Sequence, residues 1–182
     1  MPQLTLAELE AGLDEICRAP RDRGVLELIV RRPCVNNRET LAEGELDEND
    51  GLIGDRWRSE NQDPESQLNV MNSRAAALVA GEKQRWALAG DQLYIDFDLS
   101  DDNAPVGTRL AIGAAIIEIT PPPHTGCKKF SARFGVDAMV FVNSPQGKRL
   151  HLRGVNARVV RGGVIHPGDA ITKLVVPQSA DA

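Results

Sequence analysis

The stretch Gln92–Ser100, QLYIDFDLS, alternates without a break: Leu93, Ile95, Phe97 and Leu99 fall on one side, Tyr94, Asp96 and Asp98 on the other. A period of two sends successive side chains to opposite faces of a strand, so the segment reads as a half-buried β-strand that needs partners on both edges. The candidate partners are short and numerous. In Val25–Arg31, Leu26, Leu28 and Val30 alternate against Glu27 and Ile29; Pro33 closes the run and leaves Cys34 in a loop. Thr108–Ile112 and Ala114–Thr120, separated by Gly113, read as paired strands, and Gln67–Met71, Leu150–Val160 and Ala170–Val176 as three more.

Helical patterns lie between these strands. Thr5 and Glu8 have capping-box spacing, and Leu6, Leu9, Leu13, Ile16 and Cys17 share one face before Pro20, which makes Cys17 a packing residue. Ser73 can cap an Ala-rich helix reaching about Trp86, with Gly90 marking its end. Val136–Val142 reads as a helix followed by a turn over Asn143, Ser144, Pro145 and Gly147, and a short helix should follow Pro121, Pro122 and Pro123. Together these elements predict one β-rich α+β domain built as a β-barrel with helices around it.

Size and charge narrow the function. At about 150 residues per domain, 182 residues make one compact domain and leave no room for a second catalytic one. A net charge of -5 and only seven aromatic residues argue against a nucleic-acid partner. No apolar run approaches the ~20 residues of a membrane span. The acidic start MPQLTLAELEAGLDEI lacks a secretory pattern, so a cytoplasmic protein with reduced thiols is expected. Charge is unevenly spread. Glu39–Glu65 holds ten acids against Arg56 and Arg58, with Gly44, Gly51 and Gly54 interrupting it, and reads as a long irregular surface excursion. His124–Arg161 instead carries eight Lys or Arg against the single acid Asp137, a patch suited to an anion such as phosphate or to a solvated face.

Inside the basic patch, HTGCKKFSARFG (His124–Gly135) sets Cys127 beside Lys128 and Lys129. If Thr125 caps the helix, Cys127 stands in its first turn, where the helix N-terminus and the cations both favour thiolate. A buried, inert cysteine is the alternative reading of the same residue. His124 could pair with Cys127 as a nucleophilic couple or simply brace the loop, and no third orienting group is evident. Cys17, Cys34 and Cys127 form no CxxC pair, and His151 and His166 are remote, so neither a zinc site nor an iron–sulfur cluster is indicated.

The segment around Cys127 resembles the cysteine motif of MOSC domains, named for the C-terminal domain of molybdenum cofactor sulfurases. Three further segments agree in order and spacing: GLIGDRW (Gly51–Trp57), AGDQLYIDFDLS (Ala89–Ser100) and RGVNARVVRGGVIHPGD (Arg153–Asp169). The resemblance spans about Val25 to Val175. It implies residues 1–24 as a helical segment packed on the domain, 25–176 as the MOSC domain and 177–182 as a loose tail. The implied fold is a mixed-strand β-barrel with peripheral helices, similar to the β-barrel insert of pyruvate kinase. The implied cofactor is a pterin-bound molybdenum, with Cys127 as sulfur ligand to the metal or as carrier of a persulfide.

By position in the matched motifs, Arg56, Lys129 and Arg133 are the candidates to hold the cofactor's phosphate, joined by Arg153, with His124 at the head of the motif. Asp91 and Gln92 are candidates for hydrogen bonds to the pterin edge. Asn156, where many relatives carry an aromatic residue, departs from the family pattern, as does the sequence Gly90-Asp91-Gln92-Leu93. The sulfurase's pyridoxal-phosphate domain has no counterpart in this chain. The expected activity is molybdenum-dependent reduction of an N-hydroxylated small molecule, with electrons from a separate donor protein. The competing expectation is a sulfur carrier served by a cysteine desulfurase, or a module that delivers the cofactor.

Overall fold

The short strands close into a ring. A computed structural model describes residues 3–60 and 63–174. Its strands are β1 (Arg23–Arg31), β2 (Glu39–Leu41), β3 (Gly44–Asp47), β4 (Gly51–Leu52), β5 (Leu68–Asn72), β6 (Leu93–Asp96), β7 (Arg109–Ile112), β8 (Ala115–Ile119), β9 (Val155–Arg161), β10 (Gly163–Ile165) and β11 (Ala170–Leu174). The helices are α1 (Leu6–Ala11), α2 (Leu13–Cys17), α3 (Trp57–Glu60), α4 (Ser73–Ala80), α5 (Lys128–Phe134), α6 (Val136–Asn143) and α7 (Pro145–Arg149). Around the barrel the order is β1, β6, β5, β9, β8, β7, β11 and back to β1. Only β5 and β6 run parallel, which makes this the mixed barrel with peripheral helices that the sequence predicts.

Two apolar layers hold it together. The barrel interior is filled by side chains such as Leu26, Ile29, Leu93, Ile95, Phe97 and Ile117. A second core, with Leu9, Leu28, Val30, Met71, Tyr94 and Phe130, lies between the barrel wall and the helices. The N-terminal helices join it: Leu9 and Ile16 are buried there, and the Leu6 amide donates to Asp137 on α6.

Several expectations need correction, each for a local reason. Leu26 and Leu28 face different cores because a bulge between them shifts the phase of β1, so Ile29 points into the barrel with Leu26. Tyr94 is fully buried, since helices cover the outer face of β6 and its hydroxyl donates to the Trp86 carbonyl. The first helix breaks at Gly12, where a Cβ would stand 2.5 Å from Leu78 Cδ1. After that break Ile16 packs inward and Cys17 is exposed, not a packing residue. The acidic excursion is largely structured. β3 pairs with β4 and β10 in a second sheet, and Leu46, Leu52 and Trp57 are buried.

Helix boundaries also move. Asn72, not Ser73, caps α4: its side-chain oxygen accepts from the amides of Arg74 and Ala75. That helix ends at Ala80 and a 3-10 segment, Lys83–Ala89, continues to Gly90. The expected turn after α6 is the short helix α7, started by Ser144, whose hydroxyl accepts from the Gly147 amide. The strand expected from Leu150 begins only at Val155. Residues 1–2 and the tail 177–182 lie outside the described residues.

Candidate functional site

Three consecutive prolines after β8 have no N–H to continue a ladder, so the chain leaves the barrel as a loop over residues 121–126. Asn143, the last residue of α6, pins the end of that loop. It accepts from the Gly126 amide at 2.9 Å and donates to the Gly126 carbonyl at 3.1 Å. Cys127 follows at once and is itself the N-cap of α5, in extended conformation, a position the sequence assigned to Thr125. Its thiol is exposed. Partial burial pushes the thiol up, but the backbone amides of Phe130 and Lys129 and the charges of Arg153 and Arg133 outweigh it, and the sulfur ionises below the usual cysteine range.

Beside this loop two arginines are locked in closed pairs. Arg153 binds Asp91 through Nη1 at 2.9 and 2.7 Å and gives Nη2 to the Ala89 carbonyl, with its guanidinium over the Phe130 ring. Arg32 grips Asp55 of the GLIGDRW segment at 3.0 Å through both Nε and Nη2. Its Nη1 reaches Asn69 and the Gly90 carbonyl. Asn69 donates to Asn156, which in turn donates to the Pro122 carbonyl, so one hydrogen-bonded chain ties Asp55 to the proline loop. Both carboxylates are buried.

His124 stands beside Asp91, its Nδ1 3.4 Å from Oδ1 without the alignment of a hydrogen bond. Burial, together with Arg153 and Arg32, outweighs the pull of Asp91 and lowers the imidazole to about 4, so it is neutral at pH 7.

A second set of cations has no carboxylate. Gly90 adopts a left-handed conformation, and a Cβ placed there would meet Arg38 at 3.9 Å and Arg133 at 4.0 Å, which puts both guanidinium groups over its backbone. Arg133 gives one bond to the Leu88 carbonyl, and Arg38 keeps a buried Nε with no partner. Burial, followed by the positive charge of Arg133 and then of Arg32 and Arg56, lowers Arg38 below the usual guanidinium range although it stays charged. Among the described residues, none of Arg38, Arg133 and Lys129 is ion-paired to an acid. Arg56 pairs with Glu60 at 3.1 Å and borders, with Arg32, Trp57 and Asn69, a cleft of about 170 Å³.

Of the residues singled out from sequence, Cys127, His124, Asp91, Arg133 and Arg153 come together, while Arg56 acts on Arg38 through its charge but is paired with Glu60, and Lys129 is exposed on α5. Gln92 is consumed by the barrel wall: its oxygen accepts from the Asn69 amide and its nitrogen donates to the Gln67 carbonyl. Arg32 and Arg38 were missed. The available signal was RRPCVNNR, three arginines in eight residues just beyond a strand end. Among the described residues no group of three His, Cys, Asp or Glu side chains is placed to hold a metal.

The profile of the MOSC domain matches residues 65–172, over half of the sequence. The chain belongs to the MOSC domain family. Members of that family are associated with the molybdenum cofactor. The matched region contains Cys127, His124, Asp91, Arg133 and Arg153; Arg32, Arg38 and Arg56 precede it. No curated protein matches this MOSC chain significantly. Among solved structures it is similar to a hypothetical protein (TM-score 0.60, 18% identity, 86% of this chain and 69% of that one). It is also similar to YiiM from Escherichia coli (0.56, 19%, 84% and 70%) and the YUAD protein from Bacillus subtilis (0.55, 15%, 82% and 94%). At these identities the likeness establishes the fold of the MOSC chain alone. Among the described residues no helix is long and apolar enough to cross a membrane.

Proposed function

We propose that this MOSC protein binds the molybdenum cofactor with the Cys127 thiolate as protein ligand to the metal, and reduces N-hydroxylated small molecules with electrons from a separate donor protein. The observation that carries the reading is the conjunction of an exposed, acidified thiol with a neighbouring group of arginines that includes Arg38, buried at Nε and without a carboxylate. A soft metal takes a thiolate, and a phosphate takes several guanidinium donors, so the residues fit the two ends of a pterin cofactor. Arg38 and Arg133 would hold the phosphate, with Lys129 and Arg56 at the margins.

When bound, the cofactor supplies two-electron oxygen-atom chemistry. The chain's own residues do the rest. Asn143 fixes the loop so that Cys127 meets the first amides of α5, and those amides with Arg153 and Arg133 keep the sulfur ionised. Asp91 holds Arg153 in place, and His124 stays neutral beside it. Overall the substrate takes two electrons and two protons, its N–O bond breaks and the oxygen leaves as water. Expression in a host that makes the cofactor tests this: stoichiometric molybdenum in the wild type, lost in Cys127→Ser, is the expected result, and metal-free wild-type protein from that host would overturn it.

The exposure of Cys127 supports a second reading. A protein partner can reach the sulfur, which as thiolate would attack a desulfurase persulfide, forming a new S–S bond at Sγ as the donor's breaks and the donor leaves as a thiolate. Mass spectrometry after incubation with a cysteine desulfurase separates the two: one added sulfur on Cys127 marks the carrier.

A further inference from the structure

Along the proline loop lies a cavity of about 390 Å³, within the range of small-molecule pockets. Cys127, Arg38 and Arg133 do not line it. Its wall is mixed: Val106, Ile119, Val142 and Val155 with the three prolines, and seven polar side chains. Six of the seven are already served. Asp101 meets His151 Nε2 at 3.1 Å, and His151 Nδ1 meets the Leu99 carbonyl. Thr120 donates its hydroxyl to the Glu65 carbonyl. Arg153 is spent on Asp91 and the Ala89 carbonyl, and its unpartnered Nε is buried out of reach of anything in the cavity. Thr125 and Lys148 are exposed to water.

His124 is the seventh, and its two nitrogens differ. Nδ1 is buried and lies 3.4 Å from Asp91 Oδ1, whereas Nε2 is neither buried nor, among the described residues, bonded. The ring is neutral at pH 7, so one nitrogen carries the proton and the other a lone pair. A proton on Nδ1 faces the carboxylate with favourable sign; a lone pair there would be set against it. Asp91, itself held by both of its contacts with Arg153, therefore keeps the proton on Nδ1 and leaves an acceptor at Nε2. The loop cannot satisfy that acceptor from within. Its three prolines bring no N–H, and the Asn156 amide is taken by the Pro122 carbonyl.

We propose that this cavity binds a small molecule bearing an N–H or O–H group, which donates to His124 Nε2, with Asp91 as the positioning residue that fixes the tautomer. The assignment uses neither Cys127 nor the arginine group given to the cofactor phosphate, so it stands or falls apart from the molybdenum reading. Phenol and fluorobenzene, alike in size and differing in the donor, are the probes. In the full chain labelled at its histidine nitrogens, nuclear magnetic resonance should find the His124 proton on Nδ1. Phenol should then move the His124 Nε2 resonance and bind about tenfold more tightly than fluorobenzene, the worth of one hydrogen bond. His124→Phe keeps a ring and removes the acceptor, and should bind the two probes alike. The proposal is overturned if the proton sits on Nε2, if phenol leaves the Nε2 resonance unmoved, if the wild type binds both probes equally, or if a folded His124→Phe still prefers phenol. The first three outcomes are read on the wild type, so the test survives a variant that fails to fold.

Discussion

Arg32 and Arg38 stand six residues apart in the same loop region and carry the same charge, yet one is closed and the other open. Arg32 spends its donors on Asp55, Asn69 and the Gly90 carbonyl. Arg38 lies near the same Gly90 with Nε buried and unpartnered, facing the charges of Arg133, Arg32 and Arg56. The closed pairs, Arg32–Asp55 and Arg153–Asp91, tie the loops of the barrel mouth to one another. The open cations repel one another, and in the proposed function an anion would offset that repulsion. The proposed function makes one class frame and the other site.

The comparison breaks most visibly at the frame. Asp91→Asn leaves the Arg153 charge buried without a partner, and a broken buried pair costs about 3–5 kcal/mol. For a domain of this size that lowers the melting temperature on the order of 10 °C. Asp55→Asn should behave alike, read by thermal melting followed by circular dichroism. If both variants melt with the wild type, the distinction between frame and site is lost.

His124 belongs to the frame and supplies the next effect. The folded protein refuses its proton down to about pH 4, whereas the unfolded chain takes it near the ordinary 6.5. Between those values the unfolded state binds more protons, so stability falls as pH drops from 6.5 to 4 and then levels, by about 3 kcal/mol in all. Urea midpoints at pH 7 and pH 4.5 check this, and His124→Gln should remove that share of the slope.

Arg38→Ala is the converse case. Stability should change by less than about 0.5 kcal/mol or rise slightly, since a half-buried charge with no carboxylate partner is removed. Affinity for methyl phosphate, a stand-in for the cofactor's tail, should fall about tenfold, the value of one charge-assisted hydrogen bond. Calorimetric titration reads it. Equal loss of stability and affinity would make Arg38 another piece of frame.

What could be read ahead of the structure follows the same division. QLYIDFDLS announced its strand because a period of two is local, and HTGCKKF announced its thiol because the helix start adjoins it in sequence, although the charges that act on the sulfur are those of Arg153 and Arg133 and not of the neighbouring lysines. Cys17 misled because a single glycine, Gly12, redirected the stripe it sat on. The acidic excursion hid Leu46, Leu52 and Trp57 because its strands are only two to four residues long and bury at most one side chain each. Whether an arginine is paired is a tertiary fact. Arg56 reads equally as a phosphate ligand or as a partner of the acidic loop and is tied to Glu60 of that loop, while Arg38 gives no signal of its own and is open.

The smallest effect tests how far the open cations reach. Alkylation of the Cys127 peptide by iodoacetamide, followed against pH by mass spectrometry, should show a midpoint below that of the unfolded chain. Arg133→Ala should raise it only slightly, because one charge acting through water-exposed surroundings is worth little. Added salt discriminates further. Fields from solvent-exposed charges fade when the Debye length falls to about 3 Å at 1 M, while the amides of Phe130 and Lys129 and the buried pair of Arg153 are screened far less. The wild-type midpoint should therefore rise in 1 M salt toward that of Arg133→Ala and stop there. A rise continuing to the unfolded value would mean that the amides and the closed pair contribute nothing to the thiolate, and no rise at all would mean that Arg133 is not open to solvent ions.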